Sequence, residues 1–78
     1  MRRKITASKL SKILEEHKKW IEDEEEGERA DLYKADLSDA KLHEAKLHDA
    51  KLYKADLSDA DLGKADLSEA RMFGADLS

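Results

Sequence analysis

The chain contains no cysteine. Disulfide staples and thiolate metal sites are therefore excluded, and a reducing compartment is compatible. No apolar stretch approaches the ~20 residues that a membrane span requires. Met1-Arg2-Arg3-Lys4 is basic, but no apolar signal core follows it, so the expectation is a cytoplasmic protein. Aromatic residues are scarce, at 5%. There is no Gly-rich phosphate loop and no evident Ser-His-Asp set. The expectation is no enzymatic activity and neither cofactor nor metal.

What remains is 78 residues, 44% of them charged. That length is one domain at most, and a globule of this size is marginal without staples. The charge fraction alone points to disorder, but the regular placement of Leu and Ala argues against it. The net charge of −4 is uneven. Residues 1–29 hold eight Lys/Arg and eight Asp/Glu, and residues 30–78 hold seven and eleven. The acidity belongs to the second segment, which makes direct nucleic-acid binding a poor expectation, since phosphate contacts need a basic surface.

The boundary falls at 29/30. In the first segment, residues 5 to about 23 read as one amphipathic helix. Leu10, Ile13, Leu14, His17, Trp20 and Ile21 recur at 3–4 spacing on one face. Thr6 or Ser8 is a candidate N-cap, because a hydroxyl there accepts an orphan backbone N–H. The acidic run Glu22 to Glu26 sits at the wrong end of the helix dipole and should fray it, and Gly27 permits the turn. On this face His17 reads as a buried, hydrogen-bonded residue rather than a functional one.

From residue 30 an alanine recurs every fifth position to Ala75, and two residues after each stands Leu32, Leu37, Leu42, Leu47, Leu52, Leu57, Leu62, Leu67, Met72 or Leu77. On an α-helix a step of five turns about 140° net and scatters these side chains. On a strand five is odd, so they alternate faces. A coil whose sides are five residues long points every one of them to the axis, and a short internal period is the signature of a solenoid. Tyr33, Tyr53 and Phe73 recur at intervals of twenty, and LYKADLSDA occurs at 32–40 and 52–60. Twenty residues per turn means four sides of five.

The units ADLYK, ADLSD, AKLHE, AKLHD, AKLYK, ADLSD, ADLGK, ADLSE, ARMFG and ADLS resemble the pentapeptide repeat family, whose unit is A(D/N)LXX. The resemblance covers 30–78. It implies an all-β solenoid: a right-handed quadrilateral parallel β-helix, here of about 2.5 coils, with the central Leu and preceding Ala inside. The N-terminal segment also looks like the helix that precedes the repeats in some bacterial and phage-type members, down to the H-x-x-W of His17 and Trp20. Lys41, Lys46, Lys51 and Arg71 depart from the acidic slot, so a turn bond made by an acid is lost in those units.

Wound at twenty residues per turn, Tyr33, Tyr53 and Phe73 form a column worth roughly 0.2–1 kcal/mol per neighbour pair. Asp31–Lys51, Lys41–Asp61, Lys46–Asp66 and Glu44–Lys64 become opposite-charge neighbours. Asp36, Asp56 and Asp76, with Asp39 and Asp59, share a second side onto which the repeats bring no base. The aromatic and acidic columns, Tyr33, Tyr53, Phe73, Asp36, Asp56 and Asp76, are the candidate surface for an unidentified protein partner. His43 and His48 lie on adjacent sides and read as solvated surface.

A solenoid exposes apolar surface and unpaired backbone at its ends unless capped. Leu10, Ile13, Leu14 and Trp20 are the expected N-terminal cap over Leu32 to Leu47. Leu62, Leu67, Met72 and Leu77 line the other end, and the expectation is a homodimer stacked C-end to C-end. The function expected is a non-enzymatic structural or protein-interaction module. The resemblance brings one alternative, a DNA-mimicking inhibitor or protector of DNA gyrase. The mixture of bases and acids on so short a rod weighs against it.

Overall fold

The computed structural model describes residues 3–22 and 27–78. The element order is β1 (Arg3–Lys4), α1 (Ala7–Ile21) and β2 (Ala35–Asp36). Helix α1 starts where Thr6, in an extended conformation, accepts the Lys9 N–H through its side chain. That cap explains why Ile5 lies outside the helix. Lys18 and Lys19 occupy the last turn, the favourable end of the dipole for cations, and Glu22 is the C-cap. Most of the acidic run expected to fray the helix, residues 23–26, lies outside the described residues.

Gly27 is required for a different reason than a turn. A Cβ there would stand 2.3 Å from the Trp20 backbone nitrogen and 2.6 Å from the Lys19 carbonyl carbon. The chain runs back this closely along α1, and the Glu28 N–H donates to the Glu16 carbonyl.

From residue 30 the backbone is built of parallel bridges between residues twenty apart. Asp31 bridges Lys51, which bridges Arg71, and Asp36 bridges Asp56, which bridges Asp76. Lys41 bridges Asp61, and Lys46 bridges Asp66. Two columns thus hold two rungs and two hold one. Each rung is a reciprocal pair of ladder bonds: the Lys51 N–H donates to Ala30 at 3.0 Å and the Leu32 N–H to Lys51 at 2.8 Å. Only the two short strands are longer than a single bridge, because each side has five residues and its corner takes most of them. The twenty-residue register fits a β-helix.

The corners have a common form. The Ala N–H of each unit donates to the Leu or Met carbonyl of the unit before, from Ala35–Leu32 to Ala75–Met72. The residue just before that Ala has a left-handed φ, as at the third position of a type II turn. Lys34, Asp39, Glu44, Asp49, Lys54, Asp59, Lys64 and Glu69 all adopt it, with φ from 56° to 63°, and Gly74 does so at 76°. Charged residues hold a conformation that favours glycine, and nothing in the five-residue spacing foretold it.

Inside, Leu32, Leu37, Leu42, Leu47, Leu52 and Leu57 are buried together with Ala30, Ala35, Ala50 and Ala55. Leu10 belongs to the same cluster, and Ile13 and Leu14 pack against it half-buried. The expected core is corrected at its lower end. Leu62, Leu67 and Met72 are only half-buried, and Leu77 is 57% exposed. Among the described residues no further coil lies beneath them.

The cap is also corrected. Trp20 does not join the apolar cluster; it stacks on the His17 ring, with centroids 5.5 Å apart. His17 itself is the buried residue of that half of the helix. A further element of the cap is β1, which pairs in parallel with β2, Arg3 opposite Ala35 and Lys4 opposite Asp36. Arg3 and Lys4 therefore lie over the side that carries Asp36.

Candidate functional site

The repeating chemistry sits in the second residue of each unit. Where it is Asp, one carboxylate oxygen turns back on its own backbone and accepts the N–H two residues on: Tyr33, Ser38, Ser58, Gly63, Ser68 and Ser78, at 3.0–3.2 Å. Where the residue two positions after the Asp is Ser, its hydroxyl also donates to the same oxygen at 2.6 Å. This is an Asx turn that fixes the side before the corner. The four units with Lys41, Lys46, Lys51 or Arg71 lack it, since a cation cannot accept.

This local bond decides the fate of the opposite-charge neighbours expected across coils. Asp31, Asp61 and Asp66 do lie beside Lys51, Lys41 and Lys46 on the bridges, yet these pairs are not among the ion pairs within 4 Å, and neither is Glu44–Lys64. One oxygen of each of these aspartates instead accepts a backbone N–H at fixed geometry. An exposed ion pair is worth at most about 1 kcal/mol and costs the entropy of a long lysine. Asp31 also faces Arg3, at 3.9 Å.

The partner surface is graded rather than continuous. Tyr33 is 41% and Phe73 79% exposed, and Tyr53 is half-buried between them. Lys34 lies over the Tyr33 ring at 5.3 Å. In the acidic column Asp76 is exposed, Asp36 half-buried, and Asp56 only 4% exposed. Asp56 is covered because it lies in the middle of the column, bonded to Ser58. A partner reading this column from outside meets two acids rather than three.

The winding also brings together residues that the linear sequence kept apart. His48 Nδ1 lies 2.8 Å from Ser68 Oγ, and its Nε2 lies 3.0 Å from Asp49 Oδ2. The sequence showed no Ser-His-Asp set, because this one forms only across a coil. Its geometry is that of a turn bond rather than of a nucleophile. The Ser68 hydroxyl already donates to Asp66 at 2.6 Å, as the serines of three other units do to their own acids. That hydroxyl bond, followed by the Ser68 N–H, holds the Asp66 carboxyl below the usual carboxylate range. His43 leans across Gly63, where a Cβ would stand 2.8 Å from its Nδ1, and its Nε2 lies 3.1 Å from Glu44. Among the described residues no group of three His, Cys, Asp or Glu side chains could hold a metal, and no helix is long and apolar enough to cross a membrane.

The second cluster fastens the cap. The Ala30 N–H donates to His17 Nδ1 at 2.9 Å, so the proton of the neutral ring is on Nε2, which donates to the His48 carbonyl at 2.7 Å. Arg29 Nε donates to the Asp49 carbonyl at 2.7 Å, and its guanidinium carbon lies 5.4 Å from the Trp20 ring centroid. Arg3 donates through one nitrogen to the carbonyls of Asp31 and Tyr33, at 3.2 and 3.1 Å. Those are the carbonyls that Lys51 and Tyr53 offer to Leu32 and Lys34 one coil down. One guanidinium here does what two backbone N–H groups do further along the repeats. The H-x-x-W pair marked this cluster in the sequence; nothing marked Arg3.

A comparison with curated proteins returned no match. A family model for pentapeptide repeats matches in eight copies over residues 28–59 and 50–78. Those two stretches together span most of the chain and all of the bridged repeats: the chain belongs to the pentapeptide repeat family.

Proposed function

We propose that residues 30–78 form a right-handed quadrilateral β-helix of about 2.5 coils, and that the chain is a non-enzymatic, cytoplasmic interaction module that self-associates through its C-terminal coil. The family is generally structural or interaction-mediating, and the twenty-residue parallel bridges support the coil reading. One observation carries the self-association. The same interior position is at most 2% exposed from Leu32 through Leu57, and 57% exposed at Leu77. Leu62, Leu67 and Met72 lie half-buried beside it, in one layer. A second copy stacked on this layer covers four apolar side chains and continues the core.

The area of one coil section is a few hundred Å² per partner, below the ~800 Å² of a standard interface, so the association is weak and concentration-dependent. Sedimentation equilibrium tests it. The dimer appears at high micromolar concentration and is lost in Met72→Glu; a strict monomer at that concentration rejects the reading. Gyrase inhibition by DNA mimicry draws less support, since one of the three stacked acids is buried and four lysines or arginines stand in the acidic slots of the repeat.

A further inference from the structure

Among the described residues, His17 makes the only side-chain hydrogen bonds between α1 and the repeats. It sits fully buried over the first coil. Both ring nitrogens are committed, and to opposite roles: Nδ1 accepts from Ala30, and Nε2 donates to His48. An imidazolium carries a proton on each nitrogen. Its Nδ1–H would point at the Ala30 N–H, donor against donor, in a site closed to solvent. The docked helix therefore accepts one charge state of His17 only.

We propose that His17 is a proton-operated latch: taking up a second proton releases α1 from the first coil and bares the Leu32–Leu47 layer beneath it, while the repeats stay bridged.

The surroundings favour release over rearrangement. Among the described residues, the charged and titratable groups facing the ring are Arg29, Asp49 and His48. Arg29 and His48 oppose a positive charge there, and Asp49 favours it. Burial, the largest influence, pushes the imidazole below its ordinary value, against the pull of the His48 carbonyl. The sign follows from that direction. A free helix binds the proton more readily than a docked one, so docking is complete above the ordinary histidine value of ~6.5 and weakens as pH falls through and below it. The repeats have their own ladder of backbone bonds, from Leu32–Lys51 to Asp76–Ala55, none of which involves α1. They keep their register when the helix leaves. This opens an apolar layer at the opposite end from Leu77 and is independent of association there.

The 78-residue chain supplies its own probe, because its one tryptophan, Trp20, is stacked on the latch. Trp20 fluorescence, helical circular dichroism and amide hydrogen exchange are followed from about pH 7.5 to about pH 4.5, spanning the histidine range. The expected result is a one-proton step below about pH 6.5 in which most of the helical signal is lost while the amides of Leu42 and Leu52 stay protected. In His17→Gln the step disappears, since an amide oxygen accepts from Ala30 and its NH2 donates to His48 without titrating. In His48→Gln, which keeps the backbone carbonyl, the step persists. Should His17→Gln fail to fold, the ring resonances of wild-type His17 serve instead: their titration midpoint must coincide with that of the helix signal. The latch is rejected by a step that survives in His17→Gln, by a His17 midpoint apart from the helix midpoint, or by repeat amides that lose protection together with α1.

Discussion

Two ends of one repeat array carry nearly the same residues and fare differently. At the upper end, Leu32, Leu37, Leu42 and Leu47 are buried, with α1 packed against their cluster. At the lower end, Leu62, Leu67 and Met72 are half-buried and Leu77 is exposed, and no described residue bridges them from below. The unit is A-x-L or A-x-M in both. Burial is therefore not a property of the unit but of its neighbours, as in any array whose repeats cannot bury their apolar face alone. The ends also differ in how their backbone is treated. The upper edge has its carbonyls met by Arg3, His17 and Arg29. At the lower edge no described group bonds the N–H of Leu62, Leu67, Met72 or Leu77. Apolar cover and backbone cover are missing together there, which is why a second copy is the occupant proposed.

The sharpest way to break this comparison is one truncation made twice. Leu47→Ala should cost about 2–5 kcal/mol in chemical denaturation, the range for a closed core site. Leu77→Ala should fall within about 0.5 kcal/mol in the monomer, as an exposed site does. Equal costs would mean that the lower layer is covered. A smaller contrast sits in the acidic column. Asp56→Ala removes a buried acceptor and strands the Ser58 N–H and hydroxyl, with an expected loss of about 1–3 kcal/mol. Asp76→Ala, with the same two bonds in an exposed setting, should lose less in the same chemical denaturation, because water replaces the carboxylate. The smallest effect concerns the corners. Glu69→Gly, at φ 57°, relieves a left-handed backbone but adds freedom to the unfolded chain. The net expected is stabilisation of at most about 1 kcal/mol, and a loss larger than that would show that the corner side chain packs.

Much of this was legible before any coordinates. The step of five cannot be served by a helix or a strand, and the aromatics at 33, 53 and 73 set the register that the bridges display. The helix was legible from its apolar face, and Thr6 from its hydroxyl. Other features were not. Lysines at 41, 46 and 51 suggested ion pairs between coils, but an Asx bond is made within two residues and wins over a flexible lysine. Trp20 looked like core by its spacing; the return of the chain past Gly27 puts His17 there instead and leaves the indole against the imidazole and Arg29. Arg3 carried no signal, because its hydrogen-bond partners are carbonyls, which every residue has.

What the sequence by itself determined is the wall: which residue of each five faces inward, and which residues twenty apart lie side by side. That follows from a period, and a period is a local property repeated. Only the tertiary structure decided which of the equivalent leucines are dry, which of the equivalent aspartates are buried, and what closes the upper edge. Those outcomes depend on what lies above and below a given unit, and identical units cannot encode their own place in the stack.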